Sequence, residues 1–260
     1  MKKLSFILST ILIVQFFLFF GIMYRAVADE YTILTTQMPP YVEKNSGLAI
    51  DIVKELFKKA ELNIKIQTLP LKRALRMASI KKNTFAVPVQ RSQERETEYK
   101  WVGPILITET ALFSLSNDDI KIDVFKDAFP YRILVARGSA DEEYLRGFGI
   151  ETDIGNNDGV NVNKLKRKRT RLWAADSIVA SYYAKKEGVS IKKQITIITT
   201  LRSLACNINT PDTVISMLNK TLNVMYSDGT IKKIFAKYAK EFDIKDAAQF
   251  IEGASTSAEL

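Results

Sequence analysis

The sequence predicts an α/β fold in two successive strand-helix series. Short β-branched and aromatic runs alternate with apolar stripes at helical spacing, and the connections between them are short. Size agrees. If the first 28 residues are a leader, 232 of the 260 residues remain, enough for one large domain or two smaller ones with real cores.

The leader is read from its layout. Lys2 and Lys3 precede an apolar run from Leu4 to Tyr24, and Ala26 and Ala28 stand where a signal peptidase expects small residues. Cleavage before Asp29 is expected, giving a periplasmic protein. The rival is an uncleaved segment anchoring the protein in the inner membrane, since the run is about long enough to span. The single cysteine, Cys206, lies far from this junction and can form no intramolecular disulfide.

In the first series, Tyr31 to Thr36 reads as a strand and Pro39–Pro40 as a loop breaker. Gly47 precedes a helix with the stripe Ile52, Val53, Leu56, Phe57, Ala60. Ile64 to Thr68 alternates as a strand, Leu71 to Ala78 reads as a short helix, and Phe85 to Val89 as a strand. In the second series Ala111 to Leu115 and Tyr131 to Ala136 are strands, and a helix starts near Ala140. Leu172 to Ala175 is a strand feeding a helix through Tyr183, and Ile195 to Thr199 is another strand. Pro211 at the first helical position opens a helix striped by Val214, Met217, Leu218, Thr221, Leu222 and Met225, and Ile231, Ile234, Phe235 and Tyr238 mark the last helix.

Composition excludes several functions. The chain has no histidine, so a serine or cysteine nucleophile activated by imidazole and any histidine metal site are impossible. No glycine-rich phosphate loop is present, and no cofactor is expected. Lys and Arg number 38 against 29 Asp and Glu, a net charge of +9; Lys2, Lys3 and Arg25 lie in the leader, so the exported part is three charges lower. The basic cluster Lys164 to Arg171 reads as a solvated helix face or a contact for an acidic membrane surface, and no nucleic-acid partner is expected.

Several local patterns, in order, resemble one family. Pro40 and Tyr41 follow the first strand; Gly47 and Asp51 open a helix; Glu94 and Arg95 precede Trp101, Gly103, Pro104 and Ile105. Gly138 and Ser139 turn a strand into a helix, Asp176 ends a strand, and Asp228, Gly229, Thr230 and Tyr238 stand near the end. Together they resemble the type II periplasmic solute-binding proteins of ABC importers, in the group that binds polar amino acids. The resemblance implies a two-lobed periplasmic-binding-protein fold with a ligand cleft between lobes joined by two hinge crossovers, near Ser114 and Leu204. Residues 29–114 and 205–250 would form the first lobe, 115–204 the second, and 251–260 a flexible tail. It implies no catalysis, a small-molecule ligand (amino acid or carboxylate), a membrane permease as partner, a monomer, and hinge closure on the ligand.

The resemblance also implies site residues. Arg95 would grip the ligand's α-carboxylate, which a planar guanidinium suits by making two parallel bonds. Asp176 would receive the ammonium; its alternative role is capping the next helix. Ser139 and Ala140, at a glycine turn opening a helix, can offer backbone amides to the carboxylate, and Ser139 with Glu142 also fits a capping box. Pro88 and Gln90 stand where the family places small hydroxyl residues, and Met38 where one stacking ring is common. Tyr41 and Trp101 would supply apolar walls. Arg73, Arg91 and Arg137 fall in segments bordering the expected cleft and would favour extra negative charge, as on a dicarboxylate or acidic amino acid. A plain organic-acid receptor or sensor domain, and a dehydratase-like enzyme on the same fold, are the alternatives; the short chain after Tyr238 leaves no expected room for a cytoplasmic output segment.

Overall fold

A computed structural model describes residues 30–242. The leader, its cleavage point at Asp29 and the tail 251–260 lie outside the described residues. Among the described residues no helix is long and apolar enough to cross a membrane.

The first series runs β1 (Glu30–Thr35), α1 (Leu48–Lys59), β2 (Asn63–Thr68), α2 (Leu71–Ile80) and β3 (Thr84–Gln90). The long strand β4 (Tyr99–Leu115) leads to β5 (Ile133–Ala136), α3 (Ala140–Gly147), β6 (Thr152–Gly155), α4 (Asp158–Lys166), β7 (Leu172–Asp176) and α5 (Ser177–Lys186). A second long strand, β8 (Ile191–Asn207), returns the chain to α6 (Asp212–Ser227) and α7 (Thr230–Phe242). The strands form one continuous sheet in the order β2-β1-β3-β8-β4-β7-β5-β6. At one end β1 pairs in parallel with β2 and β3, and at the other β5 pairs in parallel with β6 and β7.

The two lobes share β4 and β8, which run antiparallel through both. Their ladder shifts register between Val102 and Leu106, across Gly103 and Pro104; a similar irregularity in the β3–β8 pair falls between Ala86 and Val89, at Pro88. Proline has no N–H to give to a ladder, so the pairing breaks there. Arg202 pairs with both Gln90 and Leu106, beside these breaks.

In the first lobe one continuous core joins Ile33 and Phe85 of the sheet to Ile52, Val53, Leu56 and Phe57 of α1, Leu218, Leu222 and Met225 of α6, and Ile231, Phe235 and Tyr238 of α7. Rings of Tyr31 and Phe85 stack at 5.4 Å. In the second lobe the pleat splits the core in two. Leu112, Ile133, Val135, Leu172 and Ala174 face one side; Ala111, Phe113, Leu134, Trp173 and Ala175 face the other, where α4 and α5 cover them with Val162, Leu165 and Ala180. That alternation is the period of a strand buried on both faces.

Several boundaries differ from those expected. The strands foreseen at Ala111–Leu115 and Ile195–Thr199 are parts of two 17-residue strands, because the proline and polar residues within them are accommodated by register shifts. Pro211 is the N-cap of α6, and the helix begins at Asp212. The element β6 and helix α4 had no sequence signal strong enough to find them: β6 is four residues long, and α4 has almost no amphipathic stripe, being covered at Asn161, Val162 and Leu165 only. The basic cluster is mostly not helical, since α4 ends at Lys166 and Arg167 caps it. Lys164 is paired with Asp153 at 2.7 Å, and Arg171 with Asp118 and Asp119.

Candidate functional site

A cavity of about 70 Å³ lies between the lobes. The first lobe contributes Met38 from the loop after β1, Leu71 at the start of α2, Pro88 and Gln90 on β3, and Arg95. The second contributes the beginnings of three helices: Ser139, Ala140 and Asp141 of α3, Asn157 and Asp158 of α4, and Asp176 before α5. Arg202 closes it from the crossover strand β8.

Each helix start is built locally. Gly138 turns β5 into α3 with φ of 71°, a left-handed conformation that glycine adopts freely, and Lys72 of the first lobe packs against it. The Ser139 hydroxyl accepts from the Glu142 amide at 3.1 Å, while the Glu142 carboxylate accepts from the Gly138 amide at 2.6 Å. Half of the expected capping box is thus formed, with its returning carboxylate one residue earlier than the usual amide. Asn157 caps α4 by accepting from Val160 N–H at 3.0 Å. Asp176 caps α5, its Oδ1 accepting from the amides of Ile178 at 3.0 Å and Val179 at 3.2 Å.

Asp176 has further partners. Its Oδ1 also accepts from the Tyr41 hydroxyl at 3.0 Å, and its Oδ2 pairs with the Arg202 guanidinium at 3.1 Å. Both ends of the pair are buried, and Arg202 also donates to the Thr108 hydroxyl at 3.2 Å. Burial works against the Arg202 charge, but Asp176, Tyr41 and Asp141 outweigh it and raise its pKa; burial and Asp176 push the Tyr41 hydroxyl well above its ordinary value. Tyr41 is delivered by Gly47, where φ is 114° and any side chain would strike the Tyr41 carbonyl. Tyr41 therefore reaches the site as a clasp on Asp176 between the lobes, and does not line the cavity.

Arg95 makes the second bridge between lobes. It is buried, pairs with Glu143 at 2.9 Å, and donates to the Gly138 carbonyl at 3.0 Å and more weakly to the Gln90 carbonyl at 3.4 Å.

Asp141 and Asp158 hold neutral donors only. Asp141 accepts from the Thr110 hydroxyl at 3.1 Å and from the Gln90 side chain, and Asp158 from the Trp173 indole at 3.4 Å. Burial, with repulsion from Asp176, raises the Asp141 pKa despite Arg202 nearby; burial and repulsion from Asp141 push Asp158 up to about 7.

Of the residues expected at the site, Arg95, Asp176, Ser139, Ala140, Gln90 and Met38 come together around the cavity, and Arg137 sits exposed at its edge, donating to Asn156. Tyr41 stops at Asp176, and three more do not reach it. Arg73 is on the exposed face of α2. Arg91 is exposed, pairs with Glu96, and lies 5.7 Å over the Trp101 ring. Trp101 packs with Tyr99, Val89 and Ala205 in a satellite core of the first lobe. Sequence reasoning missed Arg202, Asp141 and Asp158. The only signal for Arg202 was a lone charge in the run Leu201 to Cys206; Asp141 and Asp158 looked like ordinary first-turn acids.

Two lobes joined by a pair of long strands, with polar side chains from both facing one cavity, define a periplasmic-binding-protein fold. Residues 32–241 match the bacterial extracellular solute-binding proteins, family 3, and the chain belongs to that family. Comparison with curated proteins finds no match. Among solved structures the chain is similar to a histidine kinase sensor domain with similarity to periplasmic binding proteins (TM-score 0.75, 13% identity, covering 82% of this chain and 97% of that one). It is also similar to the GluR0 ligand-binding core from Nostoc punctiforme in complex with L-glutamate (0.70, 20%, 82% and 99%). An ancestral arginine-binding protein bound to arginine is a third likeness (0.71, 21%, 80% and 97%).

Proposed function

We propose that the protein captures a small polar solute, an amino acid, outside the cytoplasm and presents it to the permease of an ABC importer without converting it. The observation that carries this reading is the cavity lined from both lobes, because a solute there touches two bodies joined by strands that can flex. One water takes about 10–15 Å³ of such space, so about 70 Å³ suits a solute of a few non-hydrogen atoms or the polar end of a larger one. Membership of an extracellular solute-binding family supports export, and the glutamate and arginine complexes among similar folds support an amino-acid ligand.

In this reading Arg95, Ser139 and Ala140 hold the carboxylate end, with Gln90 and Met38 on the opposite wall. Binding an anion there requires Arg95 to exchange Glu143 for the ligand. The lobes, expected as 29–114 with 205–250 and 115–204, close by bending where β4 and β8 lose register, with the first crossover before Ala111, Leu112 and Phe113, which pack in the second lobe. Small-angle scattering with and without a ligand found by thermal-shift screening tests this: compaction is expected, and an unchanged profile at saturation would defeat the hinge.

The similarity to a kinase sensor domain favours a second reading, in which the same closed cleft is read by a signalling partner. Uptake assays in a deletion strain separate the two, since loss of solute uptake requires the importer role.

A further inference from the structure

Resting on the solute-capture reading, we infer that the captured solute carries, besides any α-ammonium, a positively charged side-chain amine or guanidine group that seats on Asp141 and Asp158, as on a basic amino acid. The inference comes from an inventory of the charges around the cavity. Arg95 is already paired with Glu143 and Arg202 with Asp176. Arg137 is exposed and turned to Asn156. That leaves Asp141 and Asp158, neither of which has a cation within 4.0 Å among the described residues.

Asp141 is only 7% exposed, and both carboxylates line the cavity. A carboxylate withdrawn from water is costly unless a cation and hydrogen bonds replace the water. The Thr110 hydroxyl and Gln90 side chain on Asp141, and one long indole contact on Asp158, are neutral donors and bring no charge to replace it. The ordinary explanation for both is a first-turn acid facing the positive end of a helix. That arrangement favours the ionised form, but the amides that hydrogen-bond side chains at these helix starts go to Glu142, Ser139 and Asn157, not to Asp141 or Asp158. The helix ends therefore leave a deficit that a cation entering the cavity would fill. Across from these acids the first lobe presents Met38, Leu71 and Pro88, apolar groups suited to the aliphatic stem of such a solute. The unpaired charge facing the cavity is thus the reverse of that expected from Arg73, Arg91 and Arg137, of which the first two lie elsewhere and the third stands exposed at the edge, donating to Asn156.

The test is titration calorimetry on the purified protein at pH 8, comparing arginine with its neutral isostere citrulline, lysine with norleucine, and both with glutamate and succinate. Arginine or lysine is expected to bind at least about tenfold more tightly than its neutral counterpart, a difference of one decade in Kd. Asp141→Asn and Asp158→Asn are each expected to bring that ratio close to one while the circular dichroism spectrum stays unchanged. Tighter binding of glutamate or succinate than of arginine and lysine would overturn the cation site and leave solute capture standing. A preference for the cation that survives in both variants would overturn the assignment to these residues. Silence across the whole panel would overturn the cation site and count against amino-acid capture as well.

Discussion

The two walls of the cleft are made differently. The first lobe's wall is mostly neutral: Met38, Leu71, Pro88 and Gln90, with Arg95 reaching out of it to the other lobe. The second lobe's wall is three helix beginnings carrying Asp141, Asp158 and Asp176. One wall supplies shape and the other charge. What joins them is a pair of buried arginines, each bound to a carboxylate of the second lobe: Arg95 to Glu143, and Arg202, on the shared strand, to Asp176. The lesson is that charge on one wall is balanced by reaching across the cleft or from the crossover.

The largest effect should come from breaking that balance at the crossover. Arg202→Met leaves Asp176 buried without its cation, which typically costs about 3–5 kcal/mol, and Asp176→Asn added to it should recover most of the loss. Urea unfolding of the single and double variants measures this. A single variant losing under about 1 kcal/mol would show that the two walls do not depend on the pair.

Next is Arg95→Ala. If the guanidinium takes the ligand carboxylate, affinity for an amino-acid ligand should fall by about 2–5 kcal/mol, well over tenfold, with the fold kept. Unchanged affinity by calorimetry would reduce Arg95 to a strut between lobes.

The third prediction separates the acids of the charged wall. Asp158, with a pKa near 7 when folded against an ordinary 3.8, binds protons more tightly in the native state. Its contribution to stability is therefore fully present below about pH 4 and is lost as pH rises through about 7. The whole shift corresponds to about 4 kcal/mol; water at its cavity-facing edge should reduce this to about 1–2 kcal/mol. Asp158→Asn should thus leave Tm unchanged at pH 4 and raise it at pH 8 in the ligand-free protein. A lower Tm at pH 8 would mean that the carboxylate is not strained there.

The smallest effect is local. Ser139→Ala removes the α3 cap and should cost about 1 kcal/mol by thermal unfolding. A cost near zero would mean that the Glu142 carboxylate on the Gly138 amide holds the turn alone.

Much of this molecule could be read in advance wherever a residue's role is settled by its neighbours in sequence. The α1 stripe Ile52, Val53, Leu56 and Phe57 is buried as its spacing requires; Gly138 and Ser139 make the expected turn and cap; Asp176 ends a strand and caps a helix. Arg95 and Gln90 reach the cavity as their place in the pattern implied. Helix α4 escaped notice because its contacts with the sheet come from few residues and its caps look like a turn.

The sequence by itself determined the alternation of elements, the family, and the exclusion of histidine chemistry, because periodicity, composition and short motifs are local properties of the chain. Tertiary structure alone decided which charges neutralise one another. Asp176 and Arg202 are 26 residues apart, Arg95 and Glu143 are 48, and Tyr41 and Asp176 are 135. Whether an arginine serves a ligand, an internal carboxylate or open water depends on which partner the fold places within a few ångströms and how far water is excluded, since Coulomb energy varies with distance and dielectric. Neither quantity is written in the order of residues. That is why Arg91 and Arg73 went to the surface while Arg202, unremarked in its strand, holds the centre of the site.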